Sequence, residues 1–260
     1  MRKHLTGTTL TLTDSGNQRT LPAKLLFYGS LLLAALYFFG PAKNYAAAPA
    51  SGAIEGVVLS SEIVKTGSLS RRFRDAEMAF ENEDFDRGRE LLHLLAGEGH
   101  MNAQFMLGVV YSSGLGVPEN MERAARWYRQ AAEQGHRDAQ YNLGVAYSMG
   151  TGVVVDATAA AGWYEKAAQQ GSTDAQFNLG LLYAQGDGVE KDMLAAAKWW
   201  FKAASNGDAA AQYALGLMYV RGDGVIQNIE EALKWWYLSA SQGFERAQQA
   251  LRQLGIVVIQ

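Results

Sequence analysis

The sequence predicts an all-α protein, a solenoid of antiparallel helical hairpins preceded by one membrane-spanning helix. Two observations carry this expectation. A 36-residue pattern recurs four times in register between residues 103 and 246. Near the N-terminus, residues 25–42 form an uncharged apolar run, LLFYGSLLLAALYFFGPA, that stands apart from the pattern.

The repeat is read in two halves. AQFMLGVVY begins at Ala103, AQYNLGVAY at Ala139, AQFNLGLLY at Ala175 and AQYALGLMY at Ala211. The second halves, RAARWYRQAAEQG, AAAGWYEKAAQQG, AAAKWWFKAASNG and EALKWWYLSASQG, end at Gly135, Gly171, Gly207 and Gly243. In the first half, Ala, Leu and Tyr at the first, fifth and ninth positions make one stripe at helical spacing. Glycine always holds the sixth position (Gly108, Gly144, Gly180, Gly216). Glycine inside a helix costs roughly 1 kcal/mol against alanine, so four in register imply a close approach of a second helix. Between the halves, GLGVPEN, GTGVVVD, GDGVEKD and GDGVIQN supply turn glycines, and Asn120, Asp156, Asp192 and Asn228 suit the N-cap of the second helix. That helix is expected to set Trp127, Trp163, Trp199 and Trp235 against alanine pairs.

These motifs resemble the Sel1-like repeat family, a relative of the tetratricopeptide repeat. The resemblance covers residues 103–246 closely, and 75–260 with caps. It implies a right-handed superhelix of antiparallel helix pairs, the usual use of which is as an adaptor, in bacteria often in the envelope. Departures such as Gly162, Leu233 and Ser239 leave that expectation intact.

Around the repeats the chain divides as follows. Residues 1–24 read as a cytoplasmic tail and 25–42 as a transmembrane signal-anchor, with a cleaved signal peptide as the rival. Residues 43–74 read as a flexible linker, 75–102 as a degenerate capping hairpin and 247–260 as a C-terminal cap. Residues 1–74 carry 9 Lys and Arg against 3 Asp and Glu, a net +6, whereas 75–260 carry 14 against 23, a net −9. The positive charge upstream of the apolar run predicts a cytoplasmic N-terminus and exported repeats, in a bacterial inner membrane with the solenoid in the periplasm. The acidic body disfavours a nucleic-acid partner.

The sequence offers no chemistry beyond this. It has no cysteine, and its four histidines, His4, His93, His100 and His136, are not spaced as metal ligands. No nucleophile elbow, phosphate loop or zinc-helix motif occurs, and no cofactor is expected. The function predicted is therefore a scaffold for a protein or peptide partner, the alternative being a module for cell-wall glycan or exopolysaccharide. Positions that differ between copies locate the expected binding stripe. The fourth, eighth and eleventh positions of each first helix fall within about 60° of arc. They are Met106, Val110 and Ser113; Asn142, Ala146 and Met149; Asn178, Leu182 and Gln185; and Ala214, Met218 and Arg221. The aromatic third and aliphatic seventh positions are expected to be buried against a neighbouring helix.

Overall fold

In the computed structural model, which describes residues 61–256, the 36-residue period becomes two thirteen-residue helices per repeat. Among the described residues there are eleven helices and no strand: α1 Ser61–Glu81, α2 Phe85–Gly97, α3 Met101–Ser113, α4 Met121–Glu133, α5 Arg137–Met149, α6 Ala157–Gln169, α7 Thr173–Gln185, α8 Met193–Ser205, α9 Ala209–Arg221, α10 Ile229–Ser241 and α11 Glu245–Gln253. The first helices of the four repeats are α3, α5, α7 and α9; the second are α4, α6, α8 and α10. Helices pack almost wholly on their neighbours in sequence, the one-dimensional order of a solenoid.

The start of the chain needs a correction. Residues 43–74, expected to be a flexible linker, are helical from Ser61 onward. Phe73, Ala76 and Phe80 of α1 recur at helical spacing and are buried. Arg72 of α1 makes a tertiary contact as well, reaching Glu98 at the end of α2, 2.8 Å away. The tail 1–24, the apolar segment 25–42 and the stretch 43–60 lie outside the described residues. Among the described residues no helix is long and apolar enough to cross a membrane.

Each helix starts and stops for a local reason. Second helices are capped by Asn120, Asp156, Asp192 and Asn228, whose side chains accept from the backbone N–H three residues on, at 2.9–3.2 Å. First helices are capped in the same way by His100, His136, Ser172 and Asp208. First helices end at Gly114, Gly150, Gly186 and Gly222, which take the left-handed conformation with φ of 66° to 78°.

The mid-helix glycines do what their register implies. A methyl group added at Gly180 would lie 2.6 Å from the Trp200 ring, and one at Gly144 would lie 2.7 Å from the Tyr164 ring. The ring that fills this space is the one that follows the tryptophan row. Trp127, Trp163, Trp199 and Trp235 are only half-buried, whereas the next residue along (Tyr128, Tyr164, Trp200, Trp236) is buried against the glycine. Adjacent rings on a helix lie 100° apart, so only one of the two can point at the partner helix.

Repeats are joined by buried amides. Gln104, Gln140, Gln176 and Gln212 donate to Ala96, Ala132, Ala168 and Ala204 at the end of the preceding second helix, at 3.1–3.2 Å. Their carbonyl oxygens accept from Gln134, Gln170, Asn206 and Gln242, which end their own hairpins. One side chain thus bonds the backbone of one repeat and the side chain of the next helix.

Two glycine substitutions should act in opposite directions. Gly180→Ala forces a methyl into the Trp200 ring and should lower stability by about 1–3 kcal/mol. Gly162→Ala, in the middle of α6 with nothing within 4 Å, should raise it by about 0.5–1 kcal/mol. Thermal unfolding followed by circular dichroism checks both. Equal shifts of the same sign would show that the glycine–ring approach does not hold the hairpin.

Candidate functional site: the open face of the first helices

Burial along the first helices resolves the expected stripe into three different environments. The eighth-position residues Val110, Ala146, Leu182 and Met218 are core residues, 1–7% exposed. They cannot meet a partner, and the expectation that they line a groove is corrected. At 100° per residue the eighth position lies about 20° from the first and about 60° from the fifth, both of which are buried in every repeat. All four eighth-position residues are apolar, which was the available signal; their variation adjusts volume inside the core.

The fourth-position residues Met106, Asn142, Asn178 and Ala214 are half-buried. Asn142 faces the Tyr128 hydroxyl, and Asn178 those of Tyr141 and Tyr164, each amide holding the hydroxyl pKa down against burial. These amides lie beside the tyrosine hydroxyls and stay partly exposed. Of the eleventh-position residues, Ser113 donates back to Val109 at 2.6 Å, while Met149, Gln185 and Arg221 are exposed at the helix ends.

The positions expected to be buried are the ones that open. Tyr141, Phe177 and Tyr213 at the third position are half-buried, as are Val145 and Leu217 at the seventh, and Leu181 is 36% exposed. Only in the first repeat are both buried, as Phe105 and Val109. They make one apolar strip running across the first helices of the second to fourth repeats, with the exposed Met149, Gln185 and Arg221 at its end. The rings are held from beneath. Tyr141 packs on Tyr164, Phe177 on Trp200 and Tyr213 on Trp236, with centroids 5.9–6.4 Å apart.

Charge marks one edge of this strip. Asp138 and Asp174 precede the first alanine of α5 and α7, on the same arc as the seventh position. Burial raises the Asp174 carboxyl above the ordinary range, and the neighbouring charges of Asp208 and Asp138 push it the same way. Burial also raises the Tyr141 hydroxyl, followed by the charge of Asp174, while its bond to Asn178 opposes them. Asp138 is ion-paired with Arg137 at 2.8 Å, so the negative charge of this edge centres on Asp174. Among the described residues no group of three or more His, Asp or Glu side chains could hold a metal ion.

Comparison with known proteins gives a consistent set of matches. The Sel1 repeat model matches over residues 102–136, 137–172, 173–208 and 209–244. The crystal structure of a Sel1 repeat protein from Oxalobacter formigenes is 34% identical, with a TM-score of 0.64, over 68% of this chain and 73% of that one. A protective antigen present in uropathogenic Escherichia coli strains, displaying an SLR fold, is 33% identical with a TM-score of 0.69. That match covers 76% of this chain and 44% of the antigen. No curated protein matches the chain.

The histidine caps on this face make stability depend on pH. Nδ1 of His100 and of His136 accepts from a backbone N–H at 3.2 Å, so the capping form is neutral. Burial lowers the pKa of both rings below the ordinary value; Glu98 opposes it at His100, and Asp138 opposes it at His136. The unfolded chain takes up these protons near pH 6.5 while the folded chain resists them. Stability is thus fully present above about pH 6.5 and falls as the pH drops towards the lowered folded values. His136→Ser copies the Ser172 cap and removes one titrating group, so the melting temperature should fall less between about pH 7.5 and 5.5 than in the parent. An identical pH profile would show that the cap does not titrate.

Proposed function

The chain belongs to the Sel1 repeat family, and we propose that it is a membrane-tethered scaffold whose exported solenoid holds a protein partner on the open face of its first helices. Proteins of this family are generally protein-interaction scaffolds without catalytic activity. The observation that carries the reading is the half-exposed apolar strip of Tyr141, Val145, Phe177, Leu181, Tyr213 and Leu217, edged by Asp138 and Asp174. Such a surface suits a segment that offers apolar side chains along its length and a basic group at one edge. Met149, 70% exposed, adds a side chain that can adapt to an irregular partner.

A glycan ligand would use the ring faces of Tyr141 and Tyr213. Those rings pack against Tyr164 and Trp236, and aliphatic side chains separate them, which favours a polypeptide. Tethering and export rest on the apolar residues 25–42 and the basic residues before them. On this reading the chain sits in a bacterial inner membrane with its repeats in the periplasm, or is free there if the segment is cleaved.

Two measurements check the proposal. Alkaline phosphatase fused after Gln260 should be active in a bacterial host; an inactive fusion beside an active cytoplasmic reporter at the same junction rules out export. Leu181→Asp with Leu217→Asp should leave the helical signal unchanged and weaken crosslinked capture of the partner from membranes at least about tenfold, by placing unpaired charge in an apolar contact. Undiminished capture removes the partner from this face, and release of the partner by soluble cell-wall glycan turns the reading to a sugar ligand.

A further inference from the structure

We propose that the pocket between α8 and α9 is a second docking site, taking an acidic, apolar segment of a protein partner on the side opposite the first-helix strip. The pocket is an open cleft of about 530 Å³, a size that ligand sites share. Its walls include Leu194, Trp199 and Phe201 of α8 and Tyr219 of α9, with Lys198 and Lys202 beside them. Tyr219 holds the ninth position of its helix, about 160° of arc from the seventh, so the two surfaces are distinct.

The cap and the first repeat show how the ninth-position tyrosine is covered when this pocket is closed. Phe201 occupies the register of His93 in the cap and Arg129 in the first repeat. His93 Nε2 lies 3.1 Å from the Tyr111 hydroxyl. The Arg129 guanidinium donates to the Tyr147 hydroxyl at 2.7 Å and lies 5.8 Å from that ring's centroid. Both side chains cover the ninth-position tyrosine. In the third repeat Phe201 turns to the Trp235 ring, 5.8 Å away and edge-on. No hydrogen bond reaches the Tyr219 hydroxyl among the described residues. Leu194 likewise stands where the first repeat has Glu122 and the second Thr158.

Leu194 and Phe201 are 52% and 51% exposed, and Phe201 is the link from this pocket to Trp235 of α10. Large apolar side chains left exposed around one pocket mark an interaction site. Charge selects the occupant. The repeats and caps are net acidic, yet Lys198 and Lys202 form no ion pair among the described residues, and Lys202 Nζ rests 4.0 Å from the Trp199 ring centroid. Two unpaired ammonium groups beside apolar walls fit carboxylates flanking an apolar side chain.

The test pans a random peptide library displayed on phage against the full chain. Peptides pairing Leu or Phe with Asp or Glu should be enriched, and their synthetic forms should quench tryptophan fluorescence on binding. Two variants should each weaken them about tenfold or more. Lys198→Glu with Lys202→Glu reverses the local charge, and Phe201→Arg restores the cover that Arg129 gives Tyr147. Both alter exposed residues, and circular dichroism confirms folding. Three results overturn the proposal: enrichment of basic peptides, binding indifferent to both variants, or no enrichment. Dodecanoate binding there while no peptide does also overturns it, by assigning a small amphipathic anion instead. None of these variants touches the first-helix strip, so this site and that one fail independently.

Discussion

The close approach of two helices at the mid-helix glycine orders everything else in the repeat. With no side chain at Gly108, Gly144, Gly180 or Gly216, the ring of the second helix lies directly on the backbone of the first. That contact fixes the rotation of both helices. Once the sixth position faces the partner helix, the first, second, fifth and eighth must face the core, and the third and seventh turn away. The open strip of the first helices therefore follows from a residue that contributes no side chain to it. The same contact decides which of two adjacent rings is buried, and so leaves the tryptophan row half-exposed on the second helices.

Helix pairs held this way are joined to one another by apolar packing, as of Ala131 and Ala132 with Ala139 and Leu143, and by the buried glutamines. An amide at 4–5% exposure is costly unless both of its ends are bonded. Each is bonded at both ends, across an inter-repeat boundary on one side and within its own hairpin on the other. No buried side-chain nitrogen or oxygen among the described residues lacks a partner. The relay works only at one register and one spacing, so it converts the sequence period into a geometric one. A solenoid whose repeats touch only their neighbours needs such a device to keep its surfaces aligned along many helices.

Alignment in turn makes differences between copies meaningful. Shared positions build the frame, while the solvent-facing positions of the second helices change from Glu122 and Arg129 in the first repeat to Leu194 and Phe201 in the third. The frame is compatible with either choice, because neither residue touches the glycine contact or the amide relay. The first helices show the converse. Val110, Ala146, Leu182 and Met218 differ in size without differing in character, because each meets a slightly different interior. Variation by itself does not separate surface from core; the chemistry of what varies does.

How much was legible in the sequence follows from this distinction. The period, the two helices per repeat, the caps at Asn120, Asp156, Asp192 and Asn228, and the close approach at the glycines are all local or periodic properties. Short-range hydrogen bonding and helical geometry impose them wherever the chain folds. Three things were not local. The start of α1 at Ser61 depends on Phe73, Ala76 and Phe80 finding the interior of a hairpin, which overrides a composition that reads as linker. The caps made by His100 and His136 depend on rings held partly dry by their neighbours. The location of the open face depends on the rotation of each helix against its partner. A rotation of about 60° exchanges a buried row for an open one, and a repeating pattern names the rows without saying which one faces out. The sequence by itself determined the repeat and its chemistry. The tertiary packing decided which of its faces meets the solvent, because only the contact between two helices sets their rotation.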